Sequence, residues 1–366
     1  MTQDDCVRNT DASYTNWYRR FIMQRTLLIA AIMALSAFTN ATEPVVQVLV
    51  GPHHADPGKN VAPGRLSYPF GMDFDAVGNM IIVEYKGGRI FKRTPAGELF
   101  QIGGLGRAGY EGDGGPMTKA SFRDMHNVAI GPDGSYYISD HANHAIRRVD
   151  RAGNISTYAG GKAGFAGDQK SVAYARFNMP ISVSISPDKK YLLVADIKNY
   201  RIRRVTLHEG QIETVAGNGK RGIPLDGAKA TTAPLFDPRA AAYDEAGNLY
   251  IVERGGHALR VVDTQGSIRT VAGNGKKGNA DGVGKKANLN GPKHLAIDTR
   301  GVVYIADDNN HLVRRFDPET GLLSTVLGAG EFRLNRPHGV QVNGGWLYIA
   351  DSWNHRVLRL KLTKNL

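Results

Sequence analysis

The chain has 366 residues, of which 42% are hydrophobic and 22% charged, with 44 glycines, one cysteine and a formal charge of +12. The hydrophobic content excludes a disordered chain, and a single cysteine excludes a disulfide scaffold and a cysteine-based zinc site. The glycine content indicates many tight turns, and the positive charge points to anionic partners.

The N-terminal region has the layout of a secretory signal peptide. Arg19, Arg20 and Arg25 precede an apolar run over 26–38, and small residues at 39 and 41 suit a cleavage site. A run of this length is too short to cross a bilayer core about 30 Å thick. We therefore predict cleavage after Ala41, export to the periplasm or the exterior, and no membrane span in the mature chain.

Residues 1–41 thus form an N-terminal extension with its signal peptide. A start at Met23 leaves a compact signal as well, so the start codon stays open between Met1 and Met23. Cleavage removes Cys6, the only cysteine, and with it thiolate catalysis and disulfides. It also removes four basic and three acidic residues, which lowers the formal charge from +12 to +11.

The rest of the chain repeats one unit six times. In each copy a glycine or lysine turn leads into an apolar run, an acidic residue, a polar turn and a basic strand. The acids are Glu84, Asp140, Asp196, Glu253, Asp307 and Asp351. Each copy divides into four short alternating segments bounded by Gly, Asp and Asn, and none shows the period of a helix. Such units predict an all-β fold of four-stranded blades stacked radially.

The last copy ends after its third strand, and the missing strand is found at the other end of the chain. Residues 45–50 resemble the fourth strands of the other copies. We therefore predict that this N-terminal strand completes the last blade, so that 42–366 form one six-bladed β-propeller with no free edge.

The turn after each acid identifies a family. The sequence reads Asn-His-Ala at 143–145, Asn-His-Leu at 310–312 and Asn-His-Arg at 354–356. The chain resembles NHL-repeat propellers over residues 45–363. This resemblance implies the fold, but it leaves function open because the family includes binding modules and enzymes.

The repeated acids and histidines are best explained by structure. A carboxylate at the end of a strand can accept hydrogen bonds from backbone N–H groups of the next turn. The histidines four residues after an acid are expected to pack in the turns; they are His144, His257, His311 and His355.

Positions that differ between blades are more informative about function. In a propeller the starts of the six innermost strands open onto one end of the central channel, where ligands bind. Aligning the copies places at this mouth Phe70, His126, Ile181, Arg239, Lys293 and His338. Four of the six are cationic or histidine, which predicts an anionic ligand. The alternative is that the surplus lysines only keep the protein soluble.

Two enzymatic alternatives were weighed at the same mouth. A lactonase similar to regucalcin or gluconolactonase holds a divalent cation through carboxylates, which these six positions lack. Resemblance to peptidyl-hydroxyglycine amidating lyases implies zinc bound by His126 and His338. Arg239 stands where the third histidine is expected, and arginine does not ligate zinc. The neighbouring His294 is out of register and is expected to point away from the channel.

The sequence therefore favours an exported propeller that acts as a binding module, with a zinc lyase as the alternative. The partners that fit are an anionic small molecule, an acidic glycan or an acidic protein surface. Export argues against a nucleic acid, although some NHL propellers bind RNA. No cofactor is expected under the binding interpretation.

Overall fold

The computed structural model describes residues 45–51, 66–330 and 332–363. The chain divides into two units, 1–45 and 46–366. Only Val45 of the first unit is described, so the signal peptide, Cys6 and the alternative start at Met23 lie outside the described residues. No helix in the described ranges is both long and apolar enough to cross a bilayer.

The described residues between 46 and 363 form six antiparallel sheets, which are the blades of the propeller. Blade 1 contains β2 (Pro69–Phe74), β3 (Met80–Glu84), β4 (Ile90–Arg93) and β5 (Leu99–Gly103). Blade 2 contains β6 (Met125–Ile130), β7 (Tyr136–Asp140), β8 (Ala145–Val149) and β9 (Ile155–Gly160). Blade 6 contains β25 (Pro337–Asn343), β26 (Trp346–Asp351), β27 (Arg356–Lys361) and β1 (Val46–Val50).

Blades 3, 4 and 5 have a fifth, two-residue strand, which the loop entering each blade adds to its outer edge. Blade 3 contains β10 (Lys170–Ser171), β11 (Pro180–Ile185), β12 (Tyr191–Asp196), β13 (Arg201–Thr206) and β14 (Gln211–Ala216). Blade 4 contains β15 (Ala228–Lys229), β16 (Pro238–Tyr243), β17 (Leu249–Glu253), β18 (Ala258–Val262) and β19 (Ser267–Ala272). Blade 5 contains β20 (Gly282–Val283), β21 (His294–Ile297), β22 (Val303–Asp307), β23 (Leu312–Phe316) and β24 (Leu322–Leu327).

Helix is confined, in the part of the chain that the structure describes, to single 3₁₀ turns. They are Met117–Lys119, His141–Asn143, Val172–Tyr174, Ile197–Asn199, Gly284–Lys286, Asp308–Asn310 and Ser352–Asn354. Four of them directly follow the acid that ends a second strand, and each of those four ends at a residue in the left-handed region. The all-β, six-bladed fold is thus the one expected from the sequence.

The first strands of the blades contact one another in a closed ring: β2, β6, β11, β16, β21, β25 and again β2. They therefore surround the axis, and the later strands lie outside them. Neighbouring first strands approach each other closely near the axis. A Cβ atom on Gly339 of β25 would lie 2.1 Å from the carbonyl oxygen of Phe70 on β2. Only glycine fits at this position of β25.

The hydrophobic core is divided into six clusters, one between each pair of neighbouring blades. Strands alternate their side chains between the two faces of a sheet, so each blade contributes to two clusters. The cluster between blades 3 and 4, for example, joins Leu193 and Ile202 to Leu249 and Ile251. No blade buries both of its faces alone, and stability depends on the complete ring.

Blade 6 takes its outermost strand from the N-terminal end of the propeller. Strand β1 pairs antiparallel with β27, with Val46 opposite Leu360 and Val48 opposite Leu358. Val46 and Val48 pack against the cluster between blades 5 and 6. The two ends of the propeller are thereby held in one sheet.

This pairing leads to a stability prediction. We expect Val48→Asp to lower the free energy of unfolding by about 2 kcal/mol, because it places a carboxylate against an apolar cluster. The matched control is Val77→Asp, in a turn where the side chain is 75% exposed; its effect should stay within about 0.5 kcal/mol. Urea unfolding measures both. Equal stabilities of the two variants would show that β1 contributes little to the ring.

Candidate functional site

The six repeated acids are fully buried and serve the blade itself. Asp140, for instance, accepts a hydrogen bond of 2.8 Å from the backbone N–H of Arg123 and two more from the side chain of Asn143. The structural role expected from the sequence is therefore supported, with one correction. The backbone donor belongs to the loop before the blade, 16–18 residues earlier, and not to the following turn. Antiparallel pairing brings the start of the first strand beside the end of the second.

Buried arginines neutralise these acids. Arg314 contacts Asp307 at 3.0 Å and Asp281, in the loop entering the blade, at 2.7 Å. The buried arginines that pair with the acids of other blades are Arg147, Arg203, Arg260 and Arg356. In blade 1 the half-buried Arg89 pairs with Glu84. With their oxygens engaged in this way, the repeated carboxylates are not available to hold a ligand or a metal.

The repeated histidines join each blade to the next. His144, His257, His311 and His355 all have a left-handed backbone, with φ between 46° and 60°. In each, Nδ1 accepts a hydrogen bond from a backbone N–H at the start of the following blade: Met179, Gly291, Arg336 and Tyr68 respectively, at 2.9–3.2 Å. The packing role expected for them is therefore supported, and the contact lies between blades rather than inside one turn.

The six residues that we placed at the channel mouth all lie at the starts of first strands. All are buried, with 3–7% of each residue exposed. Phe70, His126 and His338 lie together, and Arg239 contacts His338. Ile181 stands apart from this group, because it packs into the hydrophobic cluster between blades 3 and 4. The structure therefore brings together the aromatic and cationic members of the predicted set.

Contacts inside this group fix its protonation. Arg239 Nη2 lies 2.7 Å from His338 Nε2, and since a guanidinium only donates, His338 accepts at Nε2 and carries its proton on Nδ1. The Phe70 ring stacks on the His338 ring at 3.7 Å and on the Tyr85 ring at 4.3 Å. His126 donates from Nδ1 to the carbonyl oxygen of Asp124 at 2.8 Å.

The electrostatics of the mouth are dominated by Arg239. Burial lowers its pKa to about 9, with Arg254 adding a second positive charge. Burial and the charge of Arg239 together lower the pKa of Lys293 to about 6. The pKa values of His126 and His338 lie well below their usual range for the same two reasons. At neutral pH these imidazoles and the Lys293 amine are therefore neutral, and the guanidinium keeps its charge.

A second ring of residues escaped the sequence analysis. Directly after four of the six repeated acids come Tyr85, His141, Arg254 and Asp308. Tyr85, His141 and Asp308 contact residues of the first ring, and the charge of Arg254 acts on Arg239. The His141 ring is 4.4 Å from that of His126. These positions also differ from blade to blade, and that signal would have identified them.

Asp308 corrects one expectation about charge. The mouth does contain a carboxylate, 3.8 Å from Lys293 Nζ and 2.8 Å from Arg336 Nη2. The first-strand positions contain none, but the turn after the second strand contributes this one. Its Oδ1 is buried and has no hydrogen-bond partner among the described residues.

His294 does not point away from the channel, so that expectation is wrong. Its Nε2 meets the side-chain amide of Asn127, on the blade opposite across the axis, and its Nδ1 donates to the carbonyl oxygen of Val340 at 3.1 Å. Both His294 and Asn127 line a cavity of about 460 Å³ that all six first strands share. Successive side chains of a first strand face the two neighbouring blades alternately. Alternation along the strand therefore does not indicate which side chains line the channel and which lie in the core.

These residues do not fit zinc. The site needs three or four free ligand atoms, and Arg239 occupies Nε2 of His338, the lone pair that zinc would use. The rings of His126 and His338 are 5.6 Å apart between centroids. No group of three or more metal-binding side chains occurs in the described ranges. The buried guanidinium takes the place that a cation would need.

Comparison with protein families agrees with the fold. The model of the NHL repeat matches residues 334–360, and the model of the teneurin NHL domain matches residues 208–281. Among curated proteins, human NHL repeat-containing protein 2 is 24% identical over 81% of this chain and 47% of its own length. SUPPRESSOR OF QUENCHING 1 of Arabidopsis thaliana is 25% identical over 73% of this chain and 27% of its own length. The chain thus spans less than half the length of these relatives.

Solved propellers share the architecture at low sequence identity. A gluconolactonase of Xanthomonas campestris is 13% identical with a TM-score of 0.59, over 88% of this chain and 91% of that one. The virginiamycin B lyase of Staphylococcus aureus is 14% identical with a TM-score of 0.55, over 88% and 100%. Similarity at this level shows the fold alone. Together with the six blades and the histidines between them, the family matches show that the chain is similar to NHL-repeat β-propellers, with an NHL repeat at 334–360.

Proposed function

We propose that this propeller is a binding module that holds an anionic ligand at the channel mouth, with Arg239 at its centre. One observation carries the proposal. Of the buried arginines in the described ranges, all but Arg239 are paired with a carboxylate. Arg239 has a neutral histidine as its partner, and its Nε is buried without any.

An unpaired buried charge is costly, and a bound anion relieves that cost. The surroundings strengthen the attraction, because Arg254 and Arg336 both add positive potential around Arg239. Asp308 is the opposing charge, and it is already engaged by Arg336 and Lys293. The mouth therefore has an excess of positive charge in a poorly solvated place, where charge-assisted hydrogen bonds to an anion are strong.

The ligands that fit are an anionic small molecule, an acidic glycan, or an acidic side chain of a partner protein. A zinc-dependent lyase at the same mouth is the competing proposal from the sequence. The contact between Arg239 and His338 opposes it, since it uses the imidazole nitrogen that the metal needs. Metal content and anion binding separate the two.

We expect Arg239→Met to weaken binding of sulfate at least tenfold, which is about 1.4 kcal/mol, because the variant removes the central charge but keeps a flexible, unbranched side chain that fills part of the space. Arg176→Met, which removes an exposed arginine outside the mouth, is the matched control and should bind sulfate as the wild type does. Isothermal titration calorimetry measures the sulfate affinity of the purified wild-type protein and of the two variants.

The same titration is repeated after dialysis against EDTA, with zinc measured by plasma mass spectrometry. We expect no bound zinc and unchanged sulfate affinity. Stoichiometric zinc, together with an Arg239→Met variant that binds sulfate normally, would overturn the anion site and favour the lyase.

Anion binding should also depend on Lys293. Its pKa lies near 6 in the free protein, and a bound anion raises it, so binding takes up a proton above pH 6. Sulfate should therefore bind about tenfold more tightly at pH 6 than at pH 8. Burial lowers the pKa values of His141 and His294 to about 4 and those of His126 and His338 well below their usual range, so these histidines do not titrate between pH 6 and pH 8.

The pH dependence should be lost in Lys293→Met and kept in Lys162→Met, which removes an exposed lysine. Calorimetry at pH 6, 7 and 8 measures the sulfate affinity of the wild type and of both variants. A wild-type affinity that is the same at all three values would show that the ligand does not reach Lys293.

We further propose that the propeller works after export from the cytoplasm, supported by the charged and apolar segments over residues 19–41. Protein recovered from its native host should start at Thr42 and lack Cys6. Intact-mass spectrometry of fractionated cells checks this. An uncleaved N-terminus on cytoplasmic protein would contradict export and make RNA a candidate partner.

A further inference from the structure

The channel mouth is divided into two halves of different chemistry. Blade 4 and the loop entering blade 6 provide the cations Arg239, Arg254 and Arg336, and blade 5 adds the amine of Lys293 beside them. The beginning of blade 1 and the turns of blades 1 and 6 provide aromatic rings instead. These are Tyr68, Phe70, Tyr85 and Trp353, with His126 and His338 beside them.

The rings form one connected group. Phe70 lies between Tyr85 and His338, at 4.3 and 3.7 Å, with nearly parallel planes. The centroid of the Trp353 ring lies 5.9 Å from that of Phe70 and 5.3 Å from that of Tyr68. The two distances from Trp353 are typical of stacked and edge-to-face aromatic pairs, and the two shorter ones place the Phe70 ring in face-to-face contact with its neighbours.

The two halves meet at two points. Arg239 contacts His338, against which Phe70 stacks, and the Arg336 guanidinium lies over the Trp353 ring at 4.8 Å. A ligand at the mouth can therefore touch a ring and a cation at the same time.

The group also has an inner and an outer layer. Phe70, His126 and His338 are buried, whereas Tyr68, Tyr85 and Trp353 are half-buried. On the cationic side Arg239 is buried and Arg254 is exposed. The outer rings and the outer cations are thus accessible together. Aromatic side chains kept half-exposed beside a cation provide a flat surface on which a ring can stack.

We propose that the mouth selects an aromatic anion, which stacks its ring on Tyr85 and Trp353 and turns its negative group towards Arg239 and Arg336. This inference rests on the anion site proposed above and adds the class of ligand. Stacking favours a ligand with a planar ring, and the guanidinium groups favour a ligand with a carboxylate or a similar group. The aromatic half of the mouth does not explain the cationic half, and the cationic half does not explain the aromatic one.

Four small molecules separate the two contributions in the wild-type protein. Indole-3-acetate has both the ring and the carboxylate, acetate has only the carboxylate, indole-3-ethanol has only the ring, and cyclohexylacetate has a carboxylate on a non-planar ring. Calorimetry should show indole-3-acetate binding at least tenfold more tightly than each of the other three.

Variants then test the two halves. Trp353→Leu and Tyr85→Leu should each weaken indole-3-acetate severalfold more than they weaken acetate, so that the preference for the aromatic anion falls. Arg239→Met should reduce indole-3-acetate to the affinity of indole-3-ethanol. Tyr174→Leu, which removes a tyrosine that is 68% exposed in the loop between blades 2 and 3, is the control and should change nothing.

The outcomes distinguish this inference from the proposal beneath it. If acetate and cyclohexylacetate bind as tightly as indole-3-acetate and all three require Arg239, the mouth is a general anion site and the aromatic preference is wrong. If none of the anions binds, or if Arg239→Met binds them normally, both proposals are wrong and the rings only pack the end of the channel. The comparison among ligands uses the wild type alone, so it stands even if a variant does not fold.

Discussion

A buried carboxylate at the end of each second strand organises one end of every blade. Its burial is tolerated only because each of its oxygens is engaged, by the backbone of the loop entering the blade and by side chains of the turn and third strand. One side chain thus determines how the loop enters, where the turn bends and where the third strand begins. The histidine that follows extends this order to the next blade through its contact with a backbone N–H.

This arrangement explains why the repeated residues are not the functional ones. Acids such as Asp307 are neutralised by a buried arginine, and the histidines are engaged by backbone groups. The residues that differ from blade to blade lie directly beside these acids and histidines, at the start of the first strand and just after the acid. Both sets lie at the same end of the channel, where the rigid framework holds them close together. Function in such a ring is therefore carried by the positions that break the repeat.

At the centre of the mouth, one residue that departs from the repeat changes the pKa values of its neighbours. Arg239 stands at a position where blades 1 and 3 have Phe70 and Ile181, and it is buried without a carboxylate. Its charge, added to the effect of burial, lowers the pKa values of Lys293 and His338. The Lys293 amine and the His338 imidazole are consequently neutral, and Arg239 is the buried positive charge at the centre of the site. An anionic ligand would be attracted by that charge, and a metal cation would be repelled by it.

The amino-acid sequence by itself determined the fold, because six copies of one strand pattern cannot bury their faces unless they stack in a ring. It also located Phe70, His126, Arg239 and His338 in one place, since equivalent positions in equivalent blades must lie on one circle. Only the tertiary structure decided what these residues touch. The contact of Arg239 with His338, the turn of His294 towards Asn127, and the approach of Arg336 to Asp308 all cross between blades. Such contacts depend on how closely the blades approach the axis, and a repeat pattern describes each blade without specifying its neighbour's side chains.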